Sequence, residues 1–228
     1  MATKLTWLSH GCWLIEAGET RIVLDPFLTD NPAAKITVKE LQPVSHVLLS
    51  HAHFDHINDA AEIANRDGAT IVAAFEVGQW FHQHHGVKNV IMMNTGGRTQ
   101  LPCGDVMATP ALHSSSFPDG SYGGNPLGFV LRTGEVRIYF ACDTAFFSDM
   151  RHFAQGVDVA VLPVGDLYTM GIDESVAATQ LIEPKRVLPA HYGTWPPIAQ
   201  DMNVWSQKIR SQTAAEPIVL AVGEAIEL

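Results

Sequence analysis

The chain has 228 residues, 46% apolar and 17% charged, with a formal net charge of −10. That composition supplies a large buried core and is too apolar for a disordered chain. The acidic balance excludes the clustered Lys and Arg surfaces that bind nucleic acid or anionic membranes, which leaves a small-molecule substrate as the expected partner.

Residues 4–8, 12–17 and 20–25 alternate apolar and polar positions, the period of strands, and Ala17-Gly18-Glu19 supplies a turn, so the chain opens as a β-meander. The segment 27–43, with Pro32 and Pro43, reads as a loop with a short helical turn near 38–41. A buried strand at 46–50 leads into a helix at 57–67. A strand at 70–74, a helix at 76–85 and a strand at 89–93 complete a βαβαβ run, which predicts parallel pairing. Shorter strands follow near 98–101, 104–111, 126–133 and 136–142. Then come a helix near 146–154, a strand at 157–163, a helix at 173–182, a strand at 185–190, a helix at 199–212 and a closing strand at 217–222. The fold class this order predicts is α/β (α+β), with two sheets face to face and helices on both outer sides. No apolar run spans a bilayer. The first ten residues lack the apolar core and cleavage site of a signal peptide. Cys12, Cys103 and Cys142 imply no disulfide framework, which fits a cytoplasmic location.

Between the strand at 46–50 and the next helix stands His51-Ala52-His53-Phe54-Asp55-His56. Four potential metal ligands within one strand-to-helix turn favour metal binding over a histidine-rich surface loop. His51 and His53, two apart, can leave the same side of an extended turn, and Asp55 and His56 can aim at a neighbouring point. Imidazole and carboxylate suit Zn, with Mn, Fe or Ni also compatible. Three further candidates sit near predicted strand ends: His113 after 104–111, Asp143 after 136–142 and His191 after 185–190. Strand ends on two sheets can converge on one edge of a sandwich, which groups these residues on physical grounds alone.

The H-A-H-F-D-H run resembles the H-x-H-x-D-H signature of the metallo-β-lactamase superfamily. His113, Asp143 and His191 match its downstream ligands in order. The opening Leu8-Ser9-His10-Gly11-Cys12-Trp13-Leu14-Ile15-Glu16 resembles the uncharacterised metal-dependent hydrolase branch, of UPF0173 type, related to the L-ascorbate-6-phosphate lactonase-like proteins. The resemblance implies a four-layer αββα sandwich forming a single domain over 1–228. It also implies two divalent metal ions: His51, His53 and His113 on one, Asp55, His56 and His191 on the other, and Asp143 bridging. Two divalent cations against two carboxylates and a bridging hydroxide leave net positive charge, which favours an acyl or phosphoryl oxygen. The expected activity is hydrolysis of an ester, lactone, amide or phosphoester by that hydroxide, with Asp55, Asp143 and His10 as catalytic groups. A phosphodiesterase or nuclease, an iron-dependent redox protein and a non-catalytic metal-binding module are the alternatives.

Other residues carry two readings each. His10 faces the site or is a satisfied structural histidine. Asp25 orients a ligating imidazole or caps the turn before Pro26. His82, His84 and His85 end a helix at Gly86, where exposure is favoured over a separate metal site. Residues 164–171 form a rim loop, with Tyr168 and Thr169 contacting substrate, or a plain connection. Ser114 to Gly124 reads as a mobile lid, Trp195 as packing, and Cys142 as a buried small residue. No decisive stripe settles homo-oligomerisation.

Overall fold

The structure is a computed structural model and describes residues 2–228. The first half begins with the antiparallel meander β1 (Thr3–Ser9), β2 (Cys12–Ala17) and β3 (Thr20–Leu24). Then β4 (His46–Leu49), β5 (Thr70–Ala74) and β6 (Val90–Met93) add in parallel. Between these lie α1 (Phe54–Ile57), α2 (Ala60–Asp67) and α3 (Phe75–His85). The second half repeats the scheme. β7 (Arg98–Leu101), β8 (Gly104–Pro110), β9 (Leu127–Thr133) and β10 (Val136–Phe140) are antiparallel, and β11 (Val159–Pro163) and β12 (Arg186–Ala190) add in parallel. The helices of this half are α4 (Met150–Ala154), α5 (Ile172–Ile182) and α6 (Met202–Gln212).

Each half thus makes one mixed sheet, and the period of two decides what each strand buries. Phe129, Leu131, Ile138, Phe140, Val159 and Val161 face inward and meet Leu5, Ile15, Ile22 and Leu48 of the first sheet. Their neighbours Val130, Tyr139, Ala160 and Leu162 face outward, where Val176, Ile182, Trp205 and Ile209 of α5 and α6 cover them. On the other flank Ile63, Val77 and Phe81 of α2 and α3 cover the first sheet. The layers are helix, sheet, sheet, helix, as expected.

The structure corrects several boundaries. The helix expected at 57–67 is broken at Asn58-Asp59, because the Asp59 carboxylate accepts from Leu28 N at 2.6 Å and Thr29 N at 3.0 Å instead of capping its own helix. The short helical turn expected near 38–41 is present, closed by Glu40 N and Leu41 N donating to the Thr37 carbonyl. The helix at 146–154 shortens to α4. The one at 199–212 becomes a 3-10 turn at Pro196–Ile198 and then α6, which Asp201 caps by accepting from Asn203 N at 2.8 Å. The closing strand at 217–222 does not form. β13 (Glu216–Pro217) pairs briefly with β12, Gly223 turns with φ 85°, and β14 (Ala225–Glu227) joins β1 in the opposite sheet. Both sheets therefore have seven strands.

Candidate metal centre

Parallel strands present their carboxyl ends on one edge, where open α/β sheets place their ligands. β3 leads into Asp25, β4 into His51 and His53, β10 into Asp143 and β12 into His191. His113 follows β8, which runs in the same direction as β10, and the short helix α1 carries Asp55 and His56. All seven candidate ligands named from the sequence meet at this edge, and His10 joins them from the β1–β2 turn. The local backbone is strained here. Of the nine described non-glycine residues with positive φ, seven are Ser9, His10, Asp25, Cys142, Asp166, Leu167 and His191, at the cluster or its rim. Such conformations persist when surrounding packing over-determines them, and they gather at functional sites.

The candidate ligand atoms of His51, His53 and His113 lie within 4.8 Å of one another, as do those of His10, Asp55, His56 and His191. Asp143 stands between the two groups. Its Oδ2 is 3.6 Å from His113 Nε2, 3.3 Å from His56 Nε2 and 3.0 Å from His191 Nε2. His51 Nε2 and His53 Nδ1 are 2.9 Å apart. Their other nitrogens face Ser50 Oγ at 2.9 Å and Ser114 Oγ at 3.3 Å, which frees both inner nitrogens to accept a cation. His56 Nε2 and His191 Nε2 are buried without a hydrogen-bond partner. Buried polar atoms without partners demand an explanation, and an imidazole–carboxylate donor set converging on one point fits a divalent metal.

Burial opposes charge throughout. It lowers His51, His53 and His113 below the ordinary imidazole value. Burial also works against a charged His56, but Asp143, Asp55 and Asp25 surround it and raise it well above that value. Burial would raise Asp143 and Asp55, yet His191 and His56 beside the first, and His56 and His10 beside the second, hold both carboxyls low. His10 is pushed down to about 4 by burial, with His191 adding to it. Its ring is neutral, so Nε2–H donates to Asp55 Oδ2 at 3.1 Å while Nδ1 accepts from Thr194 Oγ1 at 2.9 Å. Cys142 is raised well above its ordinary value by burial and by Asp25, so it stays a thiol.

His10 faces the cluster. Asp25 accepts from His56 Nδ1 at 2.8 Å, so it orients a candidate ligand. His82, His84 and His85 are exposed. The 114–124 segment is a bonded hairpin rather than an open loop: Gly123 N donates to Ser115 O at 3.1 Å, Ser115 Oγ accepts from Ala52 N, and Phe117 stacks on Trp80 at 4.2 Å. Tyr168 lines the cavity over the cluster, whereas Thr169 turns away and donates to the Met170 carbonyl. Trp195, expected only to pack, is a wall of that cavity, as is Phe54. An apolar residue inside the ligand run was the one signal that could have flagged Phe54. Trp195 carried none.

A two-sheet sandwich with an edge cluster of histidines and carboxylates defines a class of proteins built around a metal centre. Residues 20–192 match the Beta-lactamase superfamily domain. The UPF0173 metal-dependent hydrolase of Thermus thermophilus is 44% identical over 99% of both chains, and that of Deinococcus radiodurans 41% identical over 99% of both. The structure of Igni18, described as a novel metallo hydrolase from Ignicoccus hospitalis, superposes with a TM-score of 0.90 at 34% identity, covering 100% of this chain and 99% of its own. The chain belongs to the β-lactamase superfamily, among the UPF0173 metal-dependent hydrolases. These findings do not extend to the L-ascorbate-6-phosphate lactonase-like proteins. Among the described residues, no helix is long and apolar enough to cross a membrane.

Proposed function

We propose that the protein is a dinuclear metal-dependent hydrolase of small molecules, with Asp143 shared between the two ions. The observation that carries this reading is the single Asp143 oxygen, Oδ2, within 3.6 Å of His113 from one group and 3.3 Å of His56 from the other. His51, His53 and His113 would hold one ion and Asp55, His56 and His191 the second. Zinc suits the donors, with Mn, Fe or Ni also compatible. When bound, such ions lower the pKa of water towards ~7 and polarise a carbonyl or phosphoryl oxygen.

The chain's own groups do the rest. Asp55 Oδ2 accepts from His10 and is also the oxygen nearest His56 and His191, at 3.8 and 3.9 Å, so Asp55 would hold the second ion through it, and its Oδ1 would orient the attacking water or hold its proton. His10 would act through Asp55 rather than as the base itself, since both its nitrogens are engaged. The three cysteines are free, as suits a cytoplasmic enzyme. Alanine at Asp143 or His56 should abolish turnover of p-nitrophenyl esters, lactones and bis-p-nitrophenyl phosphate alike. Activity retained by either variant, with metal content verified, overturns the assignment.

A further inference from the structure

The cavity over the cluster measures about 670 Å³, within the size range of small-molecule sites. Its floor is His53, Asp55, His113, Asp143 and His191, and its walls are Phe54, Phe117, Pro118, Tyr168 and Trp195, with Ser114 and Ser116 between them. Neither lysine nor arginine lines it. The walls are braced from behind: Trp195 packs on Phe54 at 6.2 Å and on the buried Phe27 at 5.9 Å, while Phe117 stacks on Trp80. Phe54 and Tyr168, two of the nine large apolar side chains exposed among the described residues, are both walls of this cavity. Leu167 and its neighbour Asp166 are held at positive φ, a strained turn that keeps Tyr168 at the mouth.

We propose that this cavity selects neutral substrates with an apolar or aromatic acyl group, and discriminates against phosphorylated ones. A phosphomonoester would bring charge that only the metals could balance, since the walls offer no guanidinium or ammonium. The carboxylates Asp55 and Asp143 and the chain's charge of −10 would add to its cost. An acyl chain or ring, by contrast, finds preformed aromatic surface and needs little reordering of the protein. Selectivity then lies in Phe54, Phe117, Tyr168 and Trp195, apart from the groups that act on the bond.

This inference rests on the hydrolase reading, and the test separates the two. Metal-loaded protein is assayed on p-nitrophenyl acetate, butyrate, hexanoate and phenylacetate and on p-nitrophenyl phosphate, while calorimetry follows binding of acetophenone and of phenylphosphonate to loaded and metal-free protein. We expect kcat/KM to rise by about fourfold per added methylene, near the transfer value for burying one. The phosphate should be the poorest substrate, and acetophenone should bind the metal-free protein where phenylphosphonate does not. Tyr168→Ala, at an exposed position, should flatten the acyl-length dependence with metal content unchanged, and Trp195→Ala should flatten it further. A flat acyl series, a preference for the phosphate, or equal binding of the two aryl ligands to metal-free protein overturns the inference. Should nothing be hydrolysed, the hydrolase reading fails and calorimetry alone decides between neutral and anionic ligands.

Discussion

Asp25 and His56 share a hydrogen bond of 2.8 Å, and the same Asp25 carboxylate also fixes His51. Ser50 donates its hydroxyl to Asp25 Oδ2 at 2.6 Å and its amide to Oδ1 at 2.8 Å, so its oxygen accepts from His51 Nδ1 at 2.9 Å. One buried carboxylate therefore sets the tautomer of two histidines proposed to hold different ions, aiming each Nε2 at the cluster.

Asp25→Ala should weaken both metal positions, by roughly 10- to 100-fold, the range seen when outer partners of ligands are removed. Ser50→Ala should weaken mainly the position built on His51. Competition with a chelator, followed by metal analysis, measures both. Equal loss at the two positions in Ser50→Ala would contradict the relay.

Metal loading should release a proton at His56. Its pKa lies well above the ordinary 6.5, so at pH 7 the metal-free ring is charged, whereas His51, His53 and His113 are lowered and already neutral. Ligation requires the free base, so the number of protons ejected on loading at pH 7 should include the one held by His56. Calorimetry in buffers of different ionisation enthalpy reads this number directly. Acidification should reverse loading, because protons compete for the same nitrogens.

His10 acts on Asp55 and on stability. Removing its ring in His10→Ala should lower activity by about 10- to 100-fold, as for other outer partners, with Thr194→Val giving a smaller loss. His10 in the folded protein sits at about 4, below its unfolded value near 6.5. The neutral ring therefore contributes stability that is full above pH 6.5 and lost as pH falls towards 4. In metal-free protein, the midpoint of thermal unfolding should fall more steeply over that window for the parent than for His10→Gln.

Gly123 leaves no room for a side chain. A Cβ there would lie 2.3 Å from Ala52 Cβ and 2.5 Å from Ser115 Oγ, at the turn between His51 and His53. Gly123→Ala should destabilise the protein by about 1–3 kcal/mol, the usual cost of overpacking, and reduce occupancy of the adjacent metal position. Gly120→Ala, where φ is +84° but nothing lies within 4 Å of the added Cβ, shows what backbone strain costs without a clash. Urea unfolding of both variants compares them.

The strands and most helices were legible because a half-buried strand alternates and an amphipathic helix repeats, and both patterns are local. β5 and β7 match the expected spans, and β4 stops one residue short. Where a boundary moved, a distant partner moved it. Asp59 was drawn off its helix by the backbone of Leu28 and Thr29, and β14 formed only because β1 offered a free edge. A three-residue Ala-Ile-Glu strand has no periodicity to read.

By itself the sequence determined which side chains can ligate a metal, and their order along strand ends, because ligand chemistry belongs to residue type and a strand's end is announced by its own pattern. Only the tertiary structure decided that Asp143 stands between His113 and His56, that Asp25 serves two imidazoles, and that Trp195 walls the cavity instead of filling the core. Those relationships join residues far apart in the chain, and they are fixed by the register and packing of two sheets rather than by any local preference.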